Sequence, residues 1–214
     1  MTVSTTELSR IFEGDMPVYV VGIDIKGYST HDDSATVVLQ KSLDNLLADS
    51  IAKLIKDKKI YDNYWIDGGD GGFLLINCKS ADVPIYVLKA LEAQIRERNE
   101  GSKSELQFTL RYALHFGEIK GWPGRLGQRF AGAAITVCAR ILDSMDRTLE
   151  GQVVVSEDFK RVYTKFLGAN NIRYFSELDS VVDKHGNEHK IWNFFLGHDL
   201  GVEVLDGKGD TVNP

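Results

Sequence analysis

The sequence predicts an α+β domain built on a βαββαβ, ferredoxin-like core, with further strands and a helix added towards the C-terminal end. Three observations predict it. Residues 17 to 25, through Val20-Val21-Gly22-Ile23, form an apolar run of strand type that stops on Asp24 and Ile25 and passes into the polar loop Lys26-Gly27-Tyr28-Ser29. Gly68-Gly69-Asp70-Gly71-Gly72 places four glycines and one acid between two apolar runs, the composition of a tight β-hairpin. Around these two stretches the apolar period switches from strand to helix and back, in the order strand, helix, hairpin, helix, strand.

Each element follows from its own residues. In residues 1 to 16, Leu8, Ile11 and Phe12 are spaced for a short amphipathic helix capped by Ser4 or Thr5, an N-terminal extension on the edge of the domain. Residues 17 to 25 are the first strand. From about 33 to 56, Val37, Leu39, Leu43, Leu46, Leu47, Ile51, Leu54 and Ile55 recur with helical period. Residues 61 to 66 and 73 to 77 are the arms of the hairpin. Pro84 near an N-terminus, followed by Val87, Leu88, Leu91 and Ile95, marks the second helix, which ends in a polar linker over 99 to 104. Residues 106 to 116 alternate as a strand and lead through Trp122-Pro123-Gly124 into a loop containing glycine and arginine.

A third helix is expected over 132 to 145, with small residues early and Arg140 within it. Val153 to Val155 reads as a short strand, and Ser156 with Asp158 opens a helix towards Leu167. Tyr174-Phe175 and residues 190 to 196 read as late strands joined by the turn at 184 to 187. The glycine-rich polar end, 201 to 214, is expected to be a flexible tail, so the folded domain is placed at 17 to 200.

Composition narrows the partners. With 31 acidic against 25 basic residues and a net charge of -6, the chain is a poor partner for a nucleic acid polymer. No apolar run approaches the length of a membrane span, and the first thirty residues lack a signal-peptide pattern. Two cysteines, Cys78 and Cys138, fit a reducing compartment, so a cytoplasmic protein is expected. Asp24 sits where a buried strand meets solvent, and an acid there is costly unless something positive sits on it. Asp24 and Asp70 at neighbouring strand ends would offer hard oxygen ligands to divalent metal, which in turn carries phosphates.

With this order in place, four motifs resemble the class III nucleotidyl cyclase catalytic domain. VGIDIKGYS resembles its strand, metal Asp and phosphate loop; GGDGGFLLI its Gly-Asp hairpin; LRYALHFGEIKG its Arg-x-Gly-Ile-His-x-Gly strand; and GAAITVCARIL its arginine-bearing helix. The motifs span about residues 17 to 145. The resemblance implies a head-to-tail homodimer with active sites at the interface. It further implies that Asp24 and Asp70 hold two divalent metal ions (Mn2+ or Mg2+), with the Ile25 carbonyl completing a shell. Backbone N–H groups of Lys26, Gly27, Tyr28 and Ser29 would cradle the triphosphate. Arg140 corresponds to the arginine that stabilises the transition state, and Thr136 stands on the same helix face where the family usually has Asn. Asp24 would also help take the proton of the attacking hydroxyl, and Lys184 is the candidate triphosphate lysine. Ala133 departs from an Asp often found after the motif glycine.

The family reads its base at one position on the hairpin strand and one just before the catalytic helix. The second falls on Arg129; the first falls on Ile66, or on Tyr64 if the hairpin holds a two-residue insertion. Neither the Lys/Asp pair of adenylate cyclases nor the Glu/Cys pair of guanylate cyclases is present. An arginine offers donors only, which suits the carbonyls of a pyrimidine, and Tyr64 or Trp65 would narrow the pocket. This pattern is similar to the Pycsar pyrimidine cyclases of bacterial antiphage defence. That similarity implies a cyclic mononucleotide, made from UTP in preference to CTP, acting on a separate effector. The alternatives are a cytidylate or purine cyclase, a diguanylate cyclase suggested by Gly68-Gly69-Asp70, and a non-catalytic nucleotide-binding dimerisation module.

Overall fold

The computed structural model describes residues 13–57, 59–145, 152–183 and 186–196. The N-terminal helix expected before residue 13, Lys184 and the tail after 200 lie outside the described residues. The elements run β1 (Gly14–Ile25), α1 (Asp33–Lys56), β2 (Ile60–Asp67), β3 (Gly71–Cys78), α2 (Val83–Glu100), β4 (Leu110–Gly124), β5 (Gly127–Ala131), α3 (Ala133–Ser144), β6 (Val153–Ser156), α4 (Glu157–Leu167), β7 (Phe175–Val182) and β8 (Glu188–Phe194).

All eight strands join one sheet in the order β2-β3-β1-β4-β6-β8-β7, with β5 paired to β4. The first four strands lie 4-1-3-2 across it, the βαββαβ arrangement. β1 is central: it pairs antiparallel with β3 on one side and with β4 on the other. β4 and β6 are parallel, and the strands beyond β6 extend the sheet antiparallel.

Strand alternation divides the core in two. Tyr19, Val21, Ile23 and Ile25 of β1 face α1, α2 and α4, with Leu39, Leu43, Leu88, Leu91 and Phe159 among the residues they join. Val18 and Val20 face α3, with Val137, Cys138 and Ile141. Small residues let α3 lie close: a Cβ on Gly22 would come 3.2 Å from Cys138 Sγ. The Cys138 thiol instead donates to the Val20 carbonyl at 3.3 Å. The Asp32 carboxylate caps α1 by accepting from the Ala35 N–H at 2.8 Å, and Ser156 Oγ caps α4 by accepting from the Phe159 N–H at 3.2 Å.

Two expectations need correction. The first strand begins at Gly14, inside the segment read as a helical extension, because residues 14 to 17 pair with 118 to 121 of β4. The loop after residue 116 is in fact a hairpin: β4 continues to Gly124, turns, and pairs with β5, while Ser104–Leu106 form a 3-10 turn and the strand starts at Leu110.

Candidate active site

The site begins where β1 ends. Asp24 is the Cα partner of Gly71 in β3 and of Arg111 in β4. A Cβ on Gly71 would lie 2.0 Å from the Ile23 carbonyl oxygen, so only glycine lets the hairpin approach β1 this closely. The Ile25 N–H then donates to the Asp70 carbonyl at 2.9 Å. These contacts bring Asp24 and Asp70 to the same end of neighbouring strands. Asp24 is largely covered, whereas Asp70 is exposed at the turn.

The turn has its own supports. The Gly68 N–H donates to the Gly71 carbonyl at 2.8 Å, and the Gly69 N–H to Asp67 Oδ1 at 3.0 Å. From α1, the Gln40 side-chain amide donates to the Gly69 carbonyl at 2.6 Å. Sequence reasoning missed Gln40, although its place beside Leu39 on a helix crossing the hairpin is the signal that could have pointed to it.

After Ile25 the chain turns through Gly27, whose φ of 71° is left-handed, into a 3-10 turn over Tyr28–Thr30. The Thr30 hydroxyl and N–H both donate to the Gly27 carbonyl, at 2.7 and 2.9 Å. One part of the expected amide cradle is corrected here: the Lys26 N–H is already given to the Thr109 carbonyl at 3.0 Å. A cradle in this loop therefore rests on the N–H groups of 27 to 29.

Arg111 was the other residue sequence reasoning missed. Its guanidinium makes an ion pair with Asp24, with Nε 2.9 Å from Oδ2 and Nη2 bonded to the same oxygen. Here is the positive group that an acid at this depth requires. The hint was present in the motif Leu110-Arg111-Tyr112, where Arg111 alternates with buried neighbours.

The donor set fits a divalent cation: two carboxylates and main-chain carbonyls are hard oxygen ligands, and Asp24 already holds a cationic group. Among the described residues, no group of three or more His, Cys, Asp or Glu side chains is placed to hold a metal. Asp24, Asp70 and the Ile25 carbonyl are the oxygen groups that lie at this end of the strands.

On α3, Thr136 is half-buried and Arg140 is exposed one turn later, where its Nη1 lies 3.7 Å from Asp143 Oδ2. A cavity of about 380 Å³ opens at the start of this helix, with Phe130, Ile135, Thr136 and Asp183 in its wall. Asp183 is held there by the Asn187 N–H and side-chain amide, both at 2.9 Å, and by His189 at 3.3 Å.

The base-reading candidates sit on different surfaces. Tyr64 and Ile66 share the α3 face of the sheet, and the Tyr64 ring packs on Phe130 with centroids 4.8 Å apart. Alternation turns Arg129, next to Phe130 in β5, to the opposite side, where its stem lies over Gly124. Within one protomer Phe130, rather than Arg129, meets Tyr64.

Buried His115 lies behind the site, with Nδ1 2.8 Å from Ser156 Oγ. Burial lowers its pKa to about 4, against an opposing pull from Asp158. It is a neutral structural ring at neutral pH. No helix among the described residues is long and apolar enough to cross a membrane.

No protein-family model matches the chain, and no curated protein matches it. Solved structures do. The guanylyl cyclase Cya2 superposes with a TM-score of 0.64 at 14% identity, over 86% of this chain and 93% of that one. The adenylate/guanylate cyclase/hydrolase from Silicibacter pomeroyi gives 0.61 at 17% identity, over 84% and 96%. The guanylate cyclase domain of RhGC from Catenaria anguillulae, in complex with GTP, gives 0.61 at 13% identity, over 84% and 96%. At these identities the likeness is one of fold: the chain has the α+β architecture of the cyclase catalytic domains, along most of its length.

Proposed function

We propose that this protein is a nucleotidyl cyclase that converts a pyrimidine nucleoside triphosphate, UTP in preference to CTP, to the 3′,5′-cyclic mononucleotide and pyrophosphate. The observation that supports the proposal is the main-chain adjacency of Asp24 and Asp70 at neighbouring strand ends, on a fold shared with cyclase domains. A pair of divalent ions, held by Asp24, Asp70 and the Ile25 carbonyl, would supply activation of the ribose 3′-hydroxyl and neutralisation of the triphosphate when bound.

The chain's own groups do the rest. Amides of Gly27, Tyr28 and Ser29 hold the triphosphate, joined by Lys184. Arg140 and Thr136, one helical turn apart, donate to the phosphoryl oxygens as negative charge builds on them. Asp24 accepts the proton leaving the hydroxyl. Tyr64, packed on Phe130, limits the depth of the base pocket, and Arg129, which lies on the other face of its own protomer, donates to the carbonyls of a pyrimidine held by the partner. The active unit is a head-to-tail homodimer, in which Arg140 of one protomer serves the acids of its partner. The cyclic product is a second messenger for a separate effector in antiphage defence.

A purine cyclase is the second reading, favoured by the GTP in the Catenaria anguillulae guanylate cyclase domain. The shared site has a direct test. Asp24→Ala and Arg140→Ala proteins are each expected to be inactive, and mixing them should restore product through one intact site per heterodimer. Failure to complement, despite verified subunit exchange, contradicts the interfacial site.

A further inference from the structure

We infer that Arg111 is a built-in counter-cation of the metal site: in the cation-free protein its guanidinium occupies the Asp24 carboxylate, and a divalent cation binds there only by displacing it. The inference rests on the proposed role of Asp24 as a cation ligand. It goes beyond that role in naming what the ion must compete with.

Asp24 and Arg111 are direct Cα partners across β1 and β4. Their neighbours Val20 and Ala113 belong to the cluster under α3, so alternation points both side chains to that face. Nε and Nη2 converge on a single oxygen, Oδ2, and the two side chains keep only 19% and 16% of their exposure. A pair this covered is weakly screened by solvent ions. A divalent ion approaching the Asp24 carboxylate through either oxygen meets a fixed positive charge already bonded to Oδ2, and repulsion across one carboxylate drives the guanidinium off.

The third arm of the guanidinium reaches elsewhere. Nη1 donates at 3.1 Å to the Met145 carbonyl, at the C-cap of α3. Arg111 thus joins the acid at the end of β1 to the end of the helix that carries Thr136 and Arg140. Displacing it loosens that hold, so arrival of the ion is felt at the end of α3.

Binding of Mn2+ to the nucleotide-free protein, followed by the electron paramagnetic resonance of free Mn2+, tests this without any turnover. Arg111→Met, which keeps an apolar stem without the charge, is expected to bind Mn2+ at least about tenfold more tightly than the unaltered protein. Arg111→Lys, which keeps a charge, is expected to stay close to the unaltered affinity. In the unaltered protein, Mn2+ should speed amide hydrogen exchange over residues 141 to 145, a measurement that needs no variant. Equal or weaker Mn2+ binding by a folded Arg111→Met protein, or exchange at 141 to 145 that Mn2+ leaves unchanged, overturns the inference. Asp24→Asn separates the two levels. If it abolishes Mn2+ binding while Arg111→Met changes nothing, the counter-cation role alone fails; if it leaves Mn2+ binding intact, the assignment of Asp24 as ligand fails with it.

Discussion

Gln40 donates its side-chain amide to the Gly69 carbonyl at 2.6 Å, tying α1 to the turn that ends in Asp70. The two residues are 29 apart in sequence, and their bond holds the tip of the hairpin against α1. Gln40→Ala removes one net hydrogen bond of about 1 kcal/mol, which corresponds to roughly a fivefold weaker cation site if the turn's position is what it secures. A Mn2+ titration of activity should show the half-saturating concentration rising by about that factor. The rate at saturating Mn2+ should change little, and the thermal midpoint should fall by about 2–4 °C.

Gly71→Ala is expected to be far more damaging. Its Cβ would lie 2.0 Å from the Ile23 carbonyl oxygen and 2.8 Å from the Asp24 Cα, so β1 and β3 must separate at the acids. Loss of more than about 2 kcal/mol in a urea melt is predicted, together with loss of Mn2+ binding. A stable variant with normal Mn2+ affinity would contradict the geometry of the site.

The legible and illegible parts of the fold differ in range of interaction. Helix α1 spans Asp33–Lys56, as its apolar spacing predicts, because a long helix buries one stripe that local sequence displays in full. The hairpin of β2 and β3 was equally plain from its glycines. The long arm of β4 was not, because Gly117, Gly121 and Pro123 read as strand breakers. They stay extended because Gly14 to Val18 of β1 and Gly127–Ala131 of β5 pair along them. The pair of Asp24 with Arg111 depends on the β1–β4 register across 87 residues, which no local pattern carries.

His115 predicts acid sensitivity. Its pKa falls from 6.5 to about 4 on folding, so between these values the unfolded chain binds the proton and the folded one does not. Stability is therefore whole above pH 6.5 and declines as pH drops towards 4, by about 2 kcal/mol at pH 5 from this ring alone. Urea melts at pH 7 and pH 5 should show that loss in the unaltered protein, and a correspondingly smaller loss in a folded His115→Asn variant. Identical pH slopes would remove His115 as the cause.

Neither cysteine should react in the native state. Burial pushes both the Cys78 and Cys138 thiols up to about 12, so almost no thiolate is present at pH 8. Iodoacetamide followed by mass spectrometry should label neither thiol in the folded protein and both after unfolding in urea.

The central claim is tested most directly by incubating the purified protein with each labelled nucleoside triphosphate and Mn2+, and resolving the products. The account predicts a 3′,5′-cyclic mononucleotide from UTP in preference to the other three, and none from an Asp70→Ala protein that remains folded. A cyclic dinucleotide from GTP, no turnover of any triphosphate, or full activity in the Asp70→Ala protein would contradict it.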